Sequence, residues 1–286
     1  MKNRPTPEAN LKAILESQSY ILAEEDLEFL KRDELRPARL QLELLKPEMA
    51  FRENRIVSTI VVFGGTRVIE ESAAVARLEA AQTALERAPG NAALARQVAI
   101  ARRVLAKAKY YNEAREFGRI VSRVCQHPGE RHLVVVTGGG PGAMEAANRG
   151  AWDENAASIG LNITLPHEQH PNPYITPDLC FQFHYFALRK MHFLLRAKGM
   201  VAFPGGYGTM DELFETLTLI QTKKVKPFPI VLVGREFWEG AVNFQHFADE
   251  GTISPEDLDL FTYAETAAEA WEAICAFHEL DPEHPF

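Results

Sequence analysis

Long apolar segments and cysteine clusters are both lacking in this sequence of 286 residues. No run approaches the roughly 18 consecutive apolar residues that a transmembrane helix requires, and the first residues contain no apolar stretch typical of a secretory signal. The three cysteines, Cys125, Cys180 and Cys275, form no CxxC pair and no disulfide framework, which indicates a reducing compartment. We therefore expect a cytoplasmic protein without a membrane partner.

An excess of positive charge is also lacking. Lys and Arg number 31 against 39 Asp and Glu, so the formal net charge is −8. Proteins that bind nucleic acids carry a basic surface, and this balance predicts no nucleic-acid partner. A local basic site for a small phosphate compound remains compatible with it. The apolar fraction of 46% is typical of a globular protein and excludes a disordered chain.

Glycine is absent before Gly64. Residues 1–55 instead combine many charges with leucines at helical spacing, which predicts a helical extension of two or three short helices with Pro37 and Pro47 as breakers. We interpret this extension as a packing or oligomerisation element. Residues 56–286 are predicted to form a second, larger domain.

Strands and helices alternate from residue 56 onward. The segment 70–125 is rich in Ala, Glu, Arg and Leu and predicts an inserted hairpin of one helix near 70–88 and a long one near 91–125. Strands are predicted at 56–63, 133–137, 158–165, 180–183, 200–203 and 229–234, and further helices near 142–154, 186–198, 209–223, 235–250 and 266–279. This alternation predicts an α/β fold with a doubly wound, Rossmann-like parallel sheet.

Three of the predicted strands end in glycine-rich turns, which begin at Gly64, Gly138 and Gly205. At the carboxyl edge of a parallel sheet such turns let backbone amides approach a phosphate, and the following helix N-terminus adds positive charge. The alternative is that the glycines only form tight turns. The stretch 138–143 satisfies a loose dinucleotide pattern, but the next strand ends without the acidic residue that a dinucleotide site needs, and no P-loop motif occurs.

Arg189 and Lys190 lie near the start of a predicted helix, where the helix dipole does not favour cations. Their position indicates an anionic partner, which could be a ligand or a carboxylate, although a solvated surface site is the simpler explanation. Glu212 is predicted in the first turn of the helix after Gly205–Gly208, beside any phosphate held there. Asp211 and Glu212 are also favourable first-turn residues without any ligand.

The segment 204–212 reads PGGYGTMDE and resembles the PGGxGTxxE motif of the Lonely Guy family of nucleoside 5′-monophosphate phosphoribohydrolases, which activate cytokinins. Two further segments are similar to that family, GGGPGAMEAANRGA at 138–151 and VFGGTR at 62–67, although the family more often has a serine near Thr66. The likeness covers about residues 56–280, and the N-terminal extension resembles the longer bacterial branch. The family is often labelled lysine decarboxylase, but that chemistry needs a pyridoxal-phosphate lysine, and we find no motif for one.

The resemblance implies hydrolysis of AMP or an N6-modified AMP to the free base and ribose 5-phosphate, with Arg189 and Glu212 as the catalytic pair. It implies no cofactor and no metal, and a homodimer or larger homo-oligomer that completes the site. The implied substrate-binding residues are Gly64, Thr66, Arg67, Gly139, Gly140, Met144, Lys190, Gly205, Gly206, Tyr207, Gly208 and Thr209.

Two alternatives remain for the function: a non-catalytic carrier of a nucleotide or of the molybdenum cofactor, and a regulatory nucleotide-binding protein. Histidines offer little support for a metal site. His167 and His170 have an H-x-x-H spacing around Glu168, but three prolines make a regular helix there improbable, and we predict a loop at the edge of the cleft. His184 and His192, on either side of Arg189, are predicted to be packing or surface residues.

Overall fold

The computed structural model describes residues 4–126, 129–164 and 170–285, which divide into two compact units. The first unit ends at Lys46 and the second begins at Pro47. The first unit is helical. Its elements are α1 at Pro7–Leu15, α2 at Leu27–Leu30 and the beginning of α3, which spans Arg36–Glu53 and ends in the second unit.

Pro37 and Pro47 do not break the extension into separate helices, because both lie within α3. Pro37 occupies the first turn, where a backbone amide has no intrahelical acceptor and its absence costs nothing. Pro47 removes one hydrogen bond from the helix interior, and packing offsets this loss. One turn later Phe51 is buried, and its ring meets Phe181 edge to face at 5.6 Å between ring centroids.

A seven-stranded sheet organises the second unit in the part of the chain that the structure describes. Its strands are β1 Thr59–Phe63, β2 Val134–Thr137, β3 Ser158–Ile163, β4 Cys180–Phe183, β5 Ala197–Ala202, β6 Ile230–Val233 and β7 Thr262–Ala264. They lie in the order β4-β3-β2-β1-β5-β6-β7, and every neighbouring pair is parallel. The helices of this unit after α3 are α4 Glu71–Arg87, α5 Ala92–Ala106, α6 Lys109–Cys125, α7 Ala143–Asp153, α8 Phe186–Leu195, α9 Tyr207–Gln221, α10 Arg235–Ala241, α11 Phe244–Asp249 and α12 Ala267–His278.

Side-chain alternation along the buried strands creates a core on each face of the sheet. In β1, Ile60 and Val62 belong to one apolar cluster, whereas Val61 and Phe63 belong to the other. The first cluster includes residues of α6, α7 and α12, and the second includes residues of α8 and α9. Helices on both faces of a parallel sheet confirm the predicted doubly wound α/β fold.

The inserted segment contains three helices and not the two that the sequence indicated. The predicted long helix divides at Lys107, which caps α5, and Ala108. The two parts bury different faces in different places: Val104 of α5 packs in a small cluster with Ala74 of α4, whereas Phe117 of α6 lies in the main core. A single straight helix could not satisfy both contacts.

Other elements also differ from the sequence prediction, and the first strand begins at Thr59 instead of residue 56. α8 ends at Leu195, and the strand β5 begins already at Ala197, because Ala197 pairs with Thr59 of β1. The predicted helix at 235–250 is two helices, since Asn243 accepts the amide of His246 and so begins α11. The edge strand β7 was missed, because three residues are too few to show a periodicity.

The strand order places a topological switch beside β1. From β1 the chain proceeds outward through β2, β3 and β4, then returns to add β5 on the other side of β1. The loops that follow β1 and β5 therefore diverge from neighbouring strands to opposite faces of the sheet. A crevice at such a point is where open α/β sheets bind ligands.

Candidate active site

The three glycine-rich turns meet at the carboxyl edge of the sheet. The amide of Gly65, after β1, donates to the carbonyl of Pro204, after β5, at 2.9 Å. The carbonyl of the same Gly65 accepts the amide of Ala143, the first residue of α7, at 3.3 Å. The turn after β1 thus joins the other two, and the sequence prediction that these turns share one edge is confirmed.

Glycine is required where these turns approach each other. Gly142 has a φ of +80°, and a methyl group there would lie 2.8 Å from the Cα of Thr66. Gly138 has a different constraint, since a methyl group on it would lie 2.7 Å from Nη2 of Arg189 and 3.0 Å from Sδ of Met144. Arg189 and Met144 therefore lie directly against the turn that follows β2.

A buried polar network holds this turn from beneath. Oγ1 of Thr137 accepts the amide of Gly139 at 2.9 Å and donates to Oδ1 of Asn148 at 2.7 Å. The side-chain amide of Asn172 donates to the same Oδ1 at 3.0 Å and to the carbonyl of Gly140 at 3.2 Å. Buried polar groups are stable only when they are paired, so this network fixes the backbone of the turn. Sequence reasoning missed it, because the residues lie on separate elements and match no short motif.

Arg189 projects from α8 into the centre of the site. Its Nε donates to the carbonyl of Leu161 at 2.8 Å, and its guanidinium lies 5.1 Å from the ring centroid of Phe193. Burial lowers the pKa of Arg189, and the nearby carboxylates of Glu212 and Asp211 oppose this effect. The side chain is thus held by a carbonyl and an aromatic ring, with one end of its guanidinium directed to Glu212.

Glu212 lies opposite Arg189 on α9, with 4.0 Å between Oε1 and Nη1 of the arginine. It occupies the second turn of α9 and not the first, because the helix begins already at Tyr207 after the N-cap Gly206. Only 7% of its surface is exposed. Burial raises the pKa of Glu212 to about 7, although the positive charges of Arg189 and Lys190 act in the opposite direction.

Lys190 connects α8 to α9 through carboxylates. Its Nζ lies 2.8 Å from Asp211 and 3.0 Å from Glu215. Burial lowers the pKa of Lys190, but these two hydrogen-bonded carboxylates outweigh it and the pKa is raised overall. Of the two anionic partners that the sequence left open for this cation, the structure contains the carboxylate. A substrate contact of Lys190 stays a prediction.

The turn after β5 presents its backbone to solvent. Tyr207 is 95% exposed, and no atom lies within 4 Å of where a side chain on Gly206 or Gly208 would begin. Thr209 is buried and packs closely on Gly205. The first amides of a helix have no intrahelical acceptors, so the start of α9 offers an accessible anion site.

The remaining predicted substrate-binding residues lie in two regions, one around the turns beside Arg189 and one lining a cavity. Met144 adjoins Arg189, Gly140 accepts the amide of Asn172, and Gly64 packs on Ala143 and Phe203. Thr66 and Arg67 face the opposite side of the turn after β5. There they line a cavity of about 570 Å³ together with Gly205, Gly206 and Tyr207.

The described histidines near the site are either exposed or in contact with aromatic and acidic side chains. His167 and Glu168 lie outside the described residues, whereas His170 is exposed. His192 is buried, 5.4 Å from Phe183 between ring centroids and 3.6 Å from Glu48. His184 contacts Tyr185 edge to face. No group of three or more His, Cys, Asp or Glu in the described ranges has an arrangement suited to a metal ion.

None of the helices within the described residues combines the length and the apolar character needed to cross a membrane.

The profile of a family described as "possible lysine decarboxylase" matches residues 144–274. This match extends from the start of α7 into α12 and therefore includes both Arg189 and Glu212. A pyrimidine/purine nucleotide 5′-monophosphate nucleosidase of Escherichia coli K12 is 33% identical over 127 residues, which cover 39% of this chain and 26% of that protein. The aligned part thus spans about a quarter of the length of the curated relative.

Solved structures with a similar fold include two proteins connected with the molybdenum cofactor. The carrier protein from Chlamydomonas reinhardtii is 19% identical and aligns over 78% of this chain and 98% of its own, with a TM-score of 0.46. A molybdenum cofactor binding protein from Rippkaea orientalis is 19% identical over 58% of this chain and 86% of its own, with a TM-score of 0.41.

Proposed function

Residues 144–274 form a domain of the Lonely Guy family, the family also described as possible lysine decarboxylase, and from this premise we propose that the chain is an N-glycosidic hydrolase. The proposed reaction cleaves a nucleoside 5′-monophosphate, AMP or an N6-modified AMP, to the free base and ribose 5-phosphate. The observation that carries the proposal is the buried Glu212 facing the half-buried Arg189 beside an exposed helix N-terminus. The similarity to a nucleotide nucleosidase supports the same class of reaction.

The 5′-phosphate binds at the start of α9 in this proposal. The open backbone of Gly206 and Gly208 accepts an anion without steric conflict, and the helix N-terminus supplies amide donors and partial positive charge. The phosphate lies remote from the bond that breaks, so its binding energy serves to hold the ribose in place. A nucleoside without phosphate loses that contribution.

Glu212 acts on the ribose in this proposal. Cleavage of the bond between the ribose carbon and the base nitrogen develops positive, oxocarbenium-like charge, which a neighbouring carboxylate stabilises. With a pKa of about 7, Glu212 is also able to accept a proton from the attacking water near neutral pH. The water oxygen forms the new bond to the ribose carbon while the bond to the base nitrogen breaks, and Glu212 passes the proton taken from the water to the leaving base.

Arg189 positions this carboxylate. Its Nε is anchored on the carbonyl of Leu161, so the guanidinium is oriented before substrate binds. The planar group faces Glu212 and favours its ionised form. A guanidinium in this place also suits an anionic substrate, because it offers several donors in a fixed geometry.

The decisive experiment compares AMP with adenosine. We expect the purified protein to release adenine and ribose 5-phosphate from AMP and to leave adenosine intact, as measured by chromatography of both products. Replacing Glu212→Gln should lower kcat by about 10²–10⁴-fold. The matched control is Glu239→Gln, which makes the same chemical change at an exposed ion pair on α10 and should leave kcat within about twofold.

Equal turnover of adenosine and AMP would contradict the assigned role of the phosphate. Retained activity in Glu212→Gln would remove the glutamate from the mechanism. Binding of AMP and other monophosphates without any turnover would favour a carrier or regulatory protein over an enzyme.

A further inference from the structure

A cavity of about 570 Å³ lies on the hairpin side of the turn after β5, and much of its wall comes from residues to which the proposed reaction assigns no role. The turns after β1 and β5 form one wall, and α5 of the inserted segment forms another. Neither Arg189 nor Glu212 lines it. Its volume falls in the range of sites that bind small molecules and cofactors.

One face of α5 is directed into this cavity. Ile100, Arg103, Val104 and Lys107 all line it, and their spacing places them on one side of a helix. The two apolar residues alternate with the two basic ones, and Ile100 remains 40% exposed. This face of the helix therefore presents a surface that is partly apolar and partly cationic.

The charge in the cavity is of one sign. Arg67 from the turn after β1 joins Arg103 and Lys107, and none of the described residues that line the cavity is acidic. In the part of the chain that the structure describes, none of these three cations forms an ion pair with a carboxylate. Lys107 Nζ donates to the carbonyl of Arg103 at 3.2 Å.

Such a cluster is unusual in a chain with a net charge of −8. The dipole of α5 favours cations in its last turn, which accounts for Arg103 and Lys107 by themselves. It does not account for Arg67, which comes from a separate loop and faces the same space. Three cations that have no carboxylate partner among the described residues and surround a concave surface match the chemistry of a phosphate-bearing ligand.

The apolar lining indicates that the ligand is more than a phosphate. Val68, Val104 and Phe237 contribute to the walls, and the ring of Tyr207 stands at the turn after β5. An aromatic or otherwise apolar group would bury its surface against these side chains. The cavity also exceeds what one or two phosphates would fill.

We propose that this cavity binds a ligand of nucleoside diphosphate class, with its phosphates on Arg67, Arg103 and Lys107 and its ring against the apolar wall. The cavity shares Gly205, Gly206 and Tyr207 with the turn that holds the substrate phosphate in the proposed function. The ligand is therefore either a separate molecule or the continuation of one whose first phosphate lies on that turn.

The test measures binding and needs no turnover, so it does not depend on the hydrolase proposal. ADP and inorganic pyrophosphate are titrated into the full chain by calorimetry at low salt. We expect ADP to bind more tightly than pyrophosphate, and the double variant Arg103→Ala, Lys107→Ala to weaken ADP by at least about tenfold. Arg102→Ala is the matched control, because it removes an exposed arginine of α5 that does not line the cavity.

Two substitutions at Ile100 that add charges of opposite sign provide a second test. Ile100→Lys should tighten ADP binding and Ile100→Glu should weaken it, each by about threefold to tenfold, because the side chain is exposed on the cavity wall. Circular dichroism spectra and melting temperatures close to wild type verify that the variants fold. Absence of ADP binding, or equal affinity in wild type and the double variant, would overturn the proposal.

Competition with ribose 5-phosphate distinguishes the two sources of the ligand. If ribose 5-phosphate displaces ADP and the double variant also binds ADP more weakly, one ligand spans the turn and the cavity. If ribose 5-phosphate does not displace ADP and the double variant binds ADP more weakly, the ligand is a separate molecule. If ribose 5-phosphate displaces ADP and the double variant has no effect, ADP binds only at the turn and the cavity proposal fails.

Discussion

Two opposing influences set the ionisation of Glu212. Burial disfavours the charged carboxylate, while Arg189 and Lys190 favour it, and burial dominates so that the pKa reaches about 7. A carboxylate of ordinary pKa would be a weaker base at neutral pH. The burial of Glu212 thus makes it a stronger base at neutral pH, because the same burial destabilises the charged carboxylate.

This pKa predicts the pH dependence of catalysis. Because Glu212 must be deprotonated to accept a proton, we expect kcat/KM for AMP to rise about tenfold per pH unit below pH 7 and to level above it. The measurement is a pH profile between pH 5 and 9 at constant ionic strength. A flat profile in this range would show that no group titrating near 7 limits the reaction, and the residual activity of Glu212→Gln should lack the step.

Lys190 and Asn172 show how residue roles depend on neighbours that the sequence does not reveal. The position of Lys190 next to the candidate catalytic arginine suggests that it contacts the substrate, yet its ammonium lies between Asp211 and Glu215 of the next helix. Asn172 sits in a segment rich in proline and histidine with no recognisable motif, yet its side chain supports the glycine turn after β2. Both assignments require knowledge of which elements lie side by side.

At the scale of elements, the candidate site depends on the close approach of three turns. Gly142 has a positive φ of +80°, and a methyl group placed on it would also lie closer than van der Waals distance to the backbone of the neighbouring turn. Gly251 has a comparable φ of +70° but open space around it. The pair separates the cost of the backbone conformation from the cost of crowding.

We expect Gly251→Ala to lower the free energy of unfolding by about 1 kcal/mol, which is the cost of the conformation. Gly142→Ala should lower it by about 2–4 kcal/mol, because the turn at Thr66 must also move. Urea denaturation measures both, and AMP turnover should fall only in Gly142→Ala. Equal destabilisation in the two variants would show that the turns do not need their close approach.

The division between α5 and α6 has a consequence for the proposed second site. Because the helix ends at Lys107, the cavity-facing residues of α5 and the core-facing residues of α6 belong to separate elements. The inserted segment therefore both anchors itself in the core and presents a basic face to the turns. A single continuous helix, which the sequence indicated, would not let these two groups of residues face the cavity and the core separately.

At the scale of the whole molecule, unpartnered apolar surface remains in the first unit. Leu11, Ile14 and Leu15 lie on one face of α1 and are each more than two-fifths exposed. Other exposed apolar side chains of this unit are Tyr20, Ile21, Leu22, Leu27, Phe29, Leu42 and Leu45. Apolar residues clustered in this way are typical of a surface that contacts another chain.

We propose that a second copy of this chain covers that surface, and sedimentation at micromolar concentration should then give at least twice the monomer mass of 32.1 kDa. Replacing Leu11→Lys together with Leu15→Lys should shift the equilibrium toward the monomer. Lys12→Gln, on the same helix, serves as the control and should leave the mass unchanged. A wild-type monomer at micromolar concentration would contradict the proposal.

The sequence alone was sufficient for the α/β class, the parallel sheet and the presence of three glycine turns at one edge. Local patterns carry this information: β-branched runs indicate buried strands, and glycine after a strand indicates a tight turn. The PGGYGTMDE motif, with Arg189 ahead of it, also pointed to the family and to the pair that lies 4.0 Å apart. What these features share is that each depends on a few residues adjacent in the chain.

Only the tertiary structure decided the rest. The raised pKa of Glu212, the carboxylate partners of Lys190 and the Thr137–Asn148–Asn172 network all arise from burial and from contacts between distant segments. α3 continues through Pro47 because packing outweighs a lost hydrogen bond, and the hairpin helix divides because its halves pack in different places. Propensity is a weak and local energy, and wherever many buried contacts oppose it, the contacts determine the structure.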